Sequence, residues 1–143
     1  MKLGQLLDAK GRGAITVGVN ESLSSVFSIL SERKIGALVV CDSNEHVVGI
    51  VSERDLVRAI ASDGERILAW PVDAIMTTAV ITCTEEDTVD QVMEKMTSGR
   101  FRHVPVVADG RLVGVISIGD VVKNRMQEIE REAADIRAYI HAV

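Results

Sequence analysis

The sequence predicts a mixed α/β (α+β) fold in which two pseudo-symmetric β-α-β-β-α repeats pack sheet to sheet and are followed by an extended C-terminal helix. The first observation behind this prediction is a Gly-x-x-Ser-x-x-Asp motif at 49–55 that recurs at 114–120, 65 positions later. The second is a set of apolar residues with helical spacing that recurs after 66 positions: Leu23, Val26, Phe27 and Leu30 correspond to Val89, Val92, Met93 and Met96. Such internal similarity indicates a duplicated structural unit.

Composition supports the same fold class. Apolar residues make up 47% of the 143 residues and aromatic residues only 3%, so the core is aliphatic, as in sheets covered by helices. A single repeat of about 60 residues would bury a small share of its surface and would be marginally stable. The two copies are therefore expected to bury their apolar faces against each other, with two related sites in the groove between them.

The first repeat, assigned to 8–65, begins with a β-prone run at 14–19. Asn20 or Ser22 can cap the helix that carries the apolar set, because both side chains accept hydrogen bonds from early helix N–H groups. Gly36 ends the helical pattern. The remaining predicted elements are strands at 37–41 and 47–51, a polar turn at 42–45 and a helix that opens at Asp55.

The second repeat, assigned to 74–125, follows the same order. Its predicted elements are a strand at 80–83, a helix at 88–98 and a hairpin of strands 104–107 and 112–116 joined by the turn 108–111. Four residues separate these two strands, whereas five (42–46) separate their counterparts, which explains why the offset between the two copies falls from 66 to 65.

The last segment, 126–143, extends the final helix beyond the repeat. Its apolar residues recur at steps of 4, 3, 4, 3 and 4, the heptad spacing of a helix–helix seam: Val122, Met126, Ile129, Ala133, Ile136 and Ile140. Two interpretations remain open. The helix lies across its own domain, or it pairs with the same helix of a second subunit, and fewer than three heptads do not separate the two.

Charge and cysteine content exclude several classes of function. The net charge of -5 argues against a nucleic-acid partner, which usually requires a basic face. Cys41 and Cys83 lie in apolar runs and are interpreted as buried free thiols in a reducing cytosol. The histidines have no cysteines at zinc-binding spacing, so no metal site is expected. No stretch reaches about 18 apolar residues, so a cytoplasmic protein without a membrane segment is predicted.

The repeated Ser and Asp, Ser52 with Asp55 and Ser117 with Asp120, carry most of the functional information. A Ser followed by Asp three residues later at a strand-to-helix junction is close to a capping box, which is a purely structural explanation. The same geometry suits a nucleotide, because a carboxylate there can accept both hydroxyls of a ribose and the helix N-terminus offers N–H groups to phosphate. The two roles are compatible.

A second set of candidates lies at the start of the 104–107 strand. Arg102 and His103 stand where the first repeat has Gly36 and Ala37. Charged residues at the start of a strand are usually solvated. If the starts of these two strands border one cleft, however, Arg102 can bind a phosphate through two hydrogen bonds.

The doubled pattern, the paired Gly-x-x-Ser-x-x-Asp motifs and the Arg-His-Val-Pro-Val segment at 102–106 resemble tandem CBS domains, a pair known as a Bateman module. The resemblance covers roughly 8–125. It implies an α/β module that binds an adenosyl ligand (AMP, ADP, ATP, NAD(H) or S-adenosylmethionine) between the repeats. It also implies a homodimer that regulates an unidentified partner protein.

The resemblance further implies two ligand-binding sites that mix the repeats. One would use Ser52, Arg54 and Asp55 with Phe101, Arg102 and His103. The other would use Ser117 and Asp120 with Ile35, Gly36 and Ala37, plus Lys10 and Ile15. Since the first site has more cations nearby, whereas the second depends on Lys10 or Arg12, we expect tighter phosphate binding at the Asp55 site.

Three classes of function compete. The preferred hypothesis is a stand-alone, non-catalytic regulatory module. An enzyme is disfavoured because the sequence has neither the Gly-x-Ser-x-Gly elbow of serine hydrolases nor a Walker-type phosphate loop. The alternative is an interaction or scaffold protein whose nucleotide clefts are vestigial and whose C-terminal seam contacts partners.

Overall fold

Two small β-sheets, each with its own set of helices, make up the fold that a computed structural model describes for residues 1–142. The helices are Leu3–Lys10 (α1), Leu23–Arg33 (α2), Glu53–Asp63 (α3), Val89–Gly99 (α4) and Ile118–Ala142 (α5). The strands are Thr16–Val17 (β1), Ala37–Cys41 (β2), Val47–Ser52 (β3), His103–Ala108 (β4) and Arg111–Ser117 (β5). Two short 3-10 helices, Gly64–Ala69 and Val72–Ala74, connect the repeats. The predicted mixed α/β class is confirmed.

Strand pairing repeats between the two halves. In the first sheet β1 runs parallel to β2, and β2 runs antiparallel to β3 with Ala37 opposite Ser52. In the second sheet β4 runs antiparallel to β5 with His103 opposite Ser117, the equivalent register. The sheets meet where the β4–β5 turn lies beside the start of β3, because Val47 N–H donates to the Gly110 carbonyl at 3.4 Å.

The first strand of the second repeat is the main error of the sequence prediction. Within the described residues, the predicted strand at 80–83 contributes only one isolated bridge, in which Cys83 pairs with Val106. The chain first pairs Thr77 with Ile50 of the other sheet, through hydrogen bonds of 2.8 and 3.0 Å. It therefore reaches the second sheet only at Cys83. The predicted strand at 14–19 is also short, limited to Thr16–Val17.

The helix caps follow the sequence prediction closely. Of the two candidates for α2, Ser22 is the cap, and its Oγ accepts from the Ser25 N–H at 3.2 Å. Thr88 caps α4 in the same way by accepting from the Gln91 N–H at 3.2 Å. Both helices end in a residue with left-handed backbone, Lys34 at φ 54° and Arg100 at φ 56°. The duplication therefore extends to the helix ends.

Each repeat completes its core with a segment that lies outside it. Helix α1, which the sequence analysis did not predict, packs in the core of the second repeat through Leu3, Leu6 and Leu7. Backbone hydrogen bonds hold it there, including Leu3 N–H to the Asp87 carbonyl at 2.8 Å. The first repeat is completed in a similar way, because Ile67 and Val72 of the connecting segment are buried in its core. The two halves are thus joined by two crossed contacts.

Helix α5 packs on the body only near its start. Its buried residues are Val121 and Asn124, in the first two turns. The heptad seam, in contrast, is exposed: Met126, Ile129, Ile136 and Ile140 retain 57–62% of their accessible surface. The interpretation in which this seam lies across its own domain is therefore wrong. Pairing with the same helix of a second subunit stays a prediction.

Two further sequence predictions concern buried and membrane-spanning segments. Cys41 and Cys83 are buried free thiols, as predicted, and form no disulfide. Across positions 1–142, no helix combines the length and the apolar character needed to cross a bilayer.

The contact between α1 and β5 provides a test of the crossed packing. A Cβ added at Gly114 would lie 2.6 Å from Leu7 Cδ2, whereas one added at Gly18 meets no atom within 4 Å. We expect Gly114→Ala to lower the free energy of unfolding by about 1–3 kcal/mol through overpacking. Gly18→Ala, the matched control, should stay within about 0.5 kcal/mol of the parent in urea titrations. Equal stability of the two variants would contradict the packing of α1.

Candidate functional site

The Ser–Asp pair of the first repeat forms a reciprocal cap at the start of α3. Asp55 N–H donates to Ser52 Oγ at 3.3 Å, and Asp55 Oδ2 accepts from the Ser52 N–H at 2.8 Å and from its hydroxyl at 3.1 Å. The capping explanation is thus correct for this pair. Within residues 1–142, however, Asp55 has no cationic partner, and its Oδ1 accepts no hydrogen bond. One edge of the carboxylate remains available.

The equivalent pair at the start of α5 has the same cap but a different electrostatic environment. Asp120 Oδ2 accepts from the Ser117 N–H at 2.9 Å and also from Lys10 Nζ at 2.5 Å. Lys10 Nζ donates in addition to the Val115 carbonyl at 2.6 Å. Burial acts to raise the pKa of Asp120, but the hydrogen bonds from Lys10 and Ser117 outweigh it and hold the pKa below its usual value. Asp120 is therefore ionised, and its charge is already compensated by Lys10.

A cavity of about 660 Å³ opens between the two repeats beside Asp55. It is bordered by the start of α3, the start of β2, the connecting segment around Thr77 and the start of β4. All six residues predicted for the first site line it: Ser52, Arg54, Asp55, Phe101, Arg102 and His103. Its volume is in the range of small-molecule sites.

Four arginines line this larger cavity from opposite sides. Arg54 and Arg58 lie one turn apart on α3, and Arg100 and Arg102 lie at the junction of α4 and β4. In the described part of the chain none of the four has a carboxylate within 4.0 Å. Arg54 instead donates to the Arg100 carbonyl at 3.5 Å, which links the two sides. Uncompensated guanidinium groups around one cavity favour a phosphate-bearing ligand.

Two of these arginines are additions to the predicted set. Arg58 had one sequence signal, its i+4 spacing from Arg54, which places both side chains on one face of α3. Arg100 lies two residues before Arg102, and its left-handed backbone at the end of α4 brings it to the cavity. The wall formed by Ala79, Val80 and Ile81 was also missed, because that segment was interpreted as a strand.

A second, smaller cavity of about 380 Å³ contains most residues predicted for the second site. Its lining includes Lys10, Ile15, Ile35, Gly36, Ala37 and Ser117. Asp120 is not part of this lining, and its carboxylate is bound to Lys10. Arg12, the alternative cation for this site, is paired with Asp8 and Glu85. The second site thus has fewer free polar groups than the first.

His103 stands in the wall between the two cavities and lines both. Its ring lies against Gly36, where an added Cβ would be 3.2 Å from the imidazole Cε1. Burial is the main effect on His103 and lowers its pKa. The nearby charge of Glu53 acts to raise this pKa, and that of Lys10 acts to lower it. The imidazole is therefore neutral near pH 7 and offers one donor and one acceptor.

The His, Cys, Asp and Glu side chains of residues 1–142 form no cluster of three that could hold a metal ion. The polar side chains that line the two cavities offer carboxylate, hydroxyl, imidazole, guanidinium and ammonium groups.

Comparison with known proteins identifies the repeats. The family model of the CBS domain matches twice, at residues 11–62 and 72–127. The CBS domain-containing protein CBSX3, mitochondrial, of Arabidopsis thaliana is 32% identical over 96% of this chain and 71% of its own length. A longer relative from the same plant, CBSCBSPB1, is 28% identical over 91% of this chain but is matched over only 24% of its own length.

Solved structures show the same architecture. A CBS-domain containing protein from Agrobacterium tumefaciens is 51% identical, with 87% of this chain and 92% of that chain covered and a TM-score of 0.83. A CBS domain protein from Pyrobaculum aerophilum complexed with AMP is 32% identical, with coverage of 84% and 89% and a TM-score of 0.75. The CBS domain pair of protein MJ0100, in complex with 5-methylthioadenosine and S-adenosyl-L-methionine, is 29% identical, with coverage of 90% and 98% and a TM-score of 0.80.

The lowered pKa of His103 predicts a pH dependence of stability. The unfolded chain takes up this proton near the ordinary imidazole value of 6.5, whereas the folded chain does so only at lower pH. Stability is therefore complete above about pH 6.5 and falls as the pH drops below it, by at most about 1.4 kcal/mol per pH unit for one proton. His103→Asn should lose less stability than the parent between about pH 7.5 and about pH 5.5.

Urea titrations at the two pH values measure this difference. His141→Asn, near the exposed end of α5, is the control and should follow the parent. An identical pH dependence of the parent and His103→Asn would show that His103 is not buried in its neutral form.

Proposed function

Because the chain belongs to the CBS-domain family, we propose that it is a non-catalytic regulatory module that binds an adenosyl ligand in the larger cavity between its repeats. Two solved relatives support this ligand class: one is complexed with AMP and the other with 5-methylthioadenosine and S-adenosyl-L-methionine. The observation that carries the proposal is the presence, within the described residues, of a free carboxylate, Asp55, and four unpaired arginines in one cavity.

Each part of a nucleotide has a matching group in the larger cavity. Asp55 Oδ1 can accept hydrogen bonds from ribose hydroxyls while Oδ2 keeps the cap on α3. Ile50, Ile81 and Phe101 provide an apolar lining for a base. Arg54 and Arg102, from opposite sides, can bind phosphate oxygens through charge-assisted hydrogen bonds.

The arginine cluster favours the phosphorylated ligands among the adenosyl compounds. AMP, ADP, ATP and NAD(H) all carry phosphates that would relieve the repulsion between the guanidinium groups. S-adenosylmethionine carries a positive sulfonium group and lacks phosphate, so it would leave the four arginines uncompensated. We therefore propose an adenine nucleotide as the regulatory ligand.

The smaller cavity is the weaker of the two sites in this proposal. A ribose that reached Asp120 would have to displace Lys10, which holds the carboxylate at 2.5 Å. Breaking a partly buried ion pair opposes binding, because the lysine and the carboxylate both lose their partner. The larger cavity should consequently fill first.

Regulation requires that the nucleotide binds two conformations of the module with different affinity. The ligand contacts both repeats, so binding would draw α3 and the start of β4 together and alter the outer surface that a partner protein recognises. Two buried free thiols are compatible with the cytoplasmic location that we propose. An interaction protein with vestigial clefts is less consistent with an open cavity in which the described arginines keep their charges unpaired.

The exposed seam of α5 supports a homodimer. Four of its six apolar residues remain more than half exposed in the described chain, and the heptad spacing of the six fits a helix of the same kind. A second copy of α5 would bury both seams at once.

Nucleotide binding is tested by calorimetry with AMP and with adenosine. We expect Asp55→Ala to weaken the binding of both ligands about tenfold or more, because it removes the group that accepts hydrogen bonds from the ribose hydroxyls. Arg102→Ala should weaken the binding of AMP but leave the binding of adenosine unchanged, since adenosine has no phosphate. Asp120→Ala, which loses the same kind of cap in the other repeat, is the control and should bind AMP like the parent. The proposed site is wrong if Asp55→Ala and Arg102→Ala both bind AMP as the parent does.

The homodimer is tested by sedimentation velocity. Ile136→Glu places a charge in the seam and should yield a monomer, because a buried unpaired carboxylate opposes association. Ala138→Glu places the same charge two residues further on, outside the seam, and should leave the dimer intact. Dissociation of both variants, or of neither, would exclude the α5 seam as the dimer contact.

A further inference from the structure

We propose that the two copies of α5 pair in parallel, with both bodies at one end of the helix pair and both C-termini at the other. This inference rests on the homodimer proposed above and adds its orientation. It follows from the charged residues beside the seam. The apolar residues alone predict pairing but do not predict its direction.

The heptad positions of α5 are fixed by its apolar residues. The a positions are Met126, Ala133 and Ile140, and the d positions are Val122, Ile129 and Ile136. The flanking e positions are then Lys123, Glu130 and Arg137, and the flanking g positions are Arg125, Glu132 and Tyr139. Side chains at e and g border the seam and select the partner and its direction.

Parallel pairing brings opposite charges together at two levels of the seam. In this arrangement a g residue faces the e residue five positions further along the other helix. Arg125 then faces Glu130 of the second copy, and Glu132 faces Arg137 of the second copy. Two-fold symmetry doubles both contacts, so every charged g residue of the seam has an oppositely charged neighbour.

Antiparallel pairing brings like charges together. The antiparallel register that buries the full seam aligns Met126 with Ile136 and Ala133 with Ile129 of the second copy. In that register e faces e and g faces g. Glu130 faces Glu130 of the second copy, Glu132 faces Glu132 of the second copy, and Lys123 faces Arg137 of the second copy. Each of these contacts is repulsive, so the charge pattern disfavours this orientation.

The groups needed for parallel pairing are available in the single chain. Among residues 1–142, Glu130, Glu132 and Arg137 form no ion pair. Arg125 contacts Glu128 at 3.1 Å and Asp90 at 3.6 Å, yet half of its side chain remains exposed. Within the described residues no residue of α5 after Asn124 is buried, so the seam beyond the first two turns is exposed to a second helix.

Charge reversal at Arg137 separates the two orientations by sign. In a parallel dimer Arg137→Glu sets two carboxylates against each other and should raise the dimer Kd about threefold or more at low salt. In an antiparallel dimer the same change would create an attraction with Lys123 and lower the Kd. The double variant Glu132→Arg/Arg137→Glu should return the Kd to within about twofold of the parent, because it restores the pair with reversed charges.

A disulfide test provides an independent readout. Ile140→Cys places the thiols of a parallel dimer in one layer, so mild oxidation should link the two chains, whereas the antiparallel register would place each thiol opposite Val122. Ala138→Cys, on the outer side of α5, is the matched control and should not link. The parent, whose two thiols are buried, is the blank.

The outcomes distinguish this inference from the proposed dimer. A parent that sediments as a monomer overturns the dimer and the orientation together. A dimer that Arg137→Glu tightens, or whose Ile140→Cys variant stays unlinked, overturns the orientation alone. Weakening by Arg137→Glu, recovery in the double variant and linkage through position 140 support parallel pairing.

Discussion

The crossed burial of two short segments is the interaction on which the rest of the structure depends. Leu7 of α1 packs against Gly114 in the second sheet, and Met76, which follows the connecting 3-10 helices, packs against Gly49 in the first. Glycine at both positions lets a side chain from outside the repeat approach the strand closely. Neither half has a complete core alone, so the cleft between them has walls fixed by the same contacts that stabilise the fold.

The duplication produced two caps of the same geometry with different electrostatic environments. Both Ser–Asp pairs close the same reciprocal hydrogen bonds, which the fold requires at each strand-to-helix junction. The difference comes from outside the motif: Lys10 on α1 reaches Asp120, whereas no described cation pairs with Asp55. A small change in the segment that crosses over therefore decides which copy keeps a free carboxylate.

Local patterns predicted most of the fold, and tertiary contacts account for what they missed. Caps such as Ser22 and the hairpin of β4 and β5 depend on neighbouring residues, so the sequence predicts them well. Helix α1 has only eight residues, too few for its periodicity to be recognised, and its burial depends on a repeat that lies far along the chain. The segment before Cys83 has strand-forming residues but pairs with the other sheet at Thr77. The contribution of Arg58 and Arg100 to the candidate site likewise becomes visible only once both repeats border one cavity.

One wall separates the two cavities, and its residues belong to both. Gly36, Ala37, His103 and Ser117 line the larger and the smaller cavity alike. A molecule that shifted the His103 ring in one cavity would also reshape the other, so ligands bound in both cavities would be thermodynamically linked. Such linkage is reciprocal: whatever factor one guest imposes on the affinity of the second, the second imposes on the first. If both cavities bind ligands, the module would respond to a combination of two concentrations and not to the level of one compound.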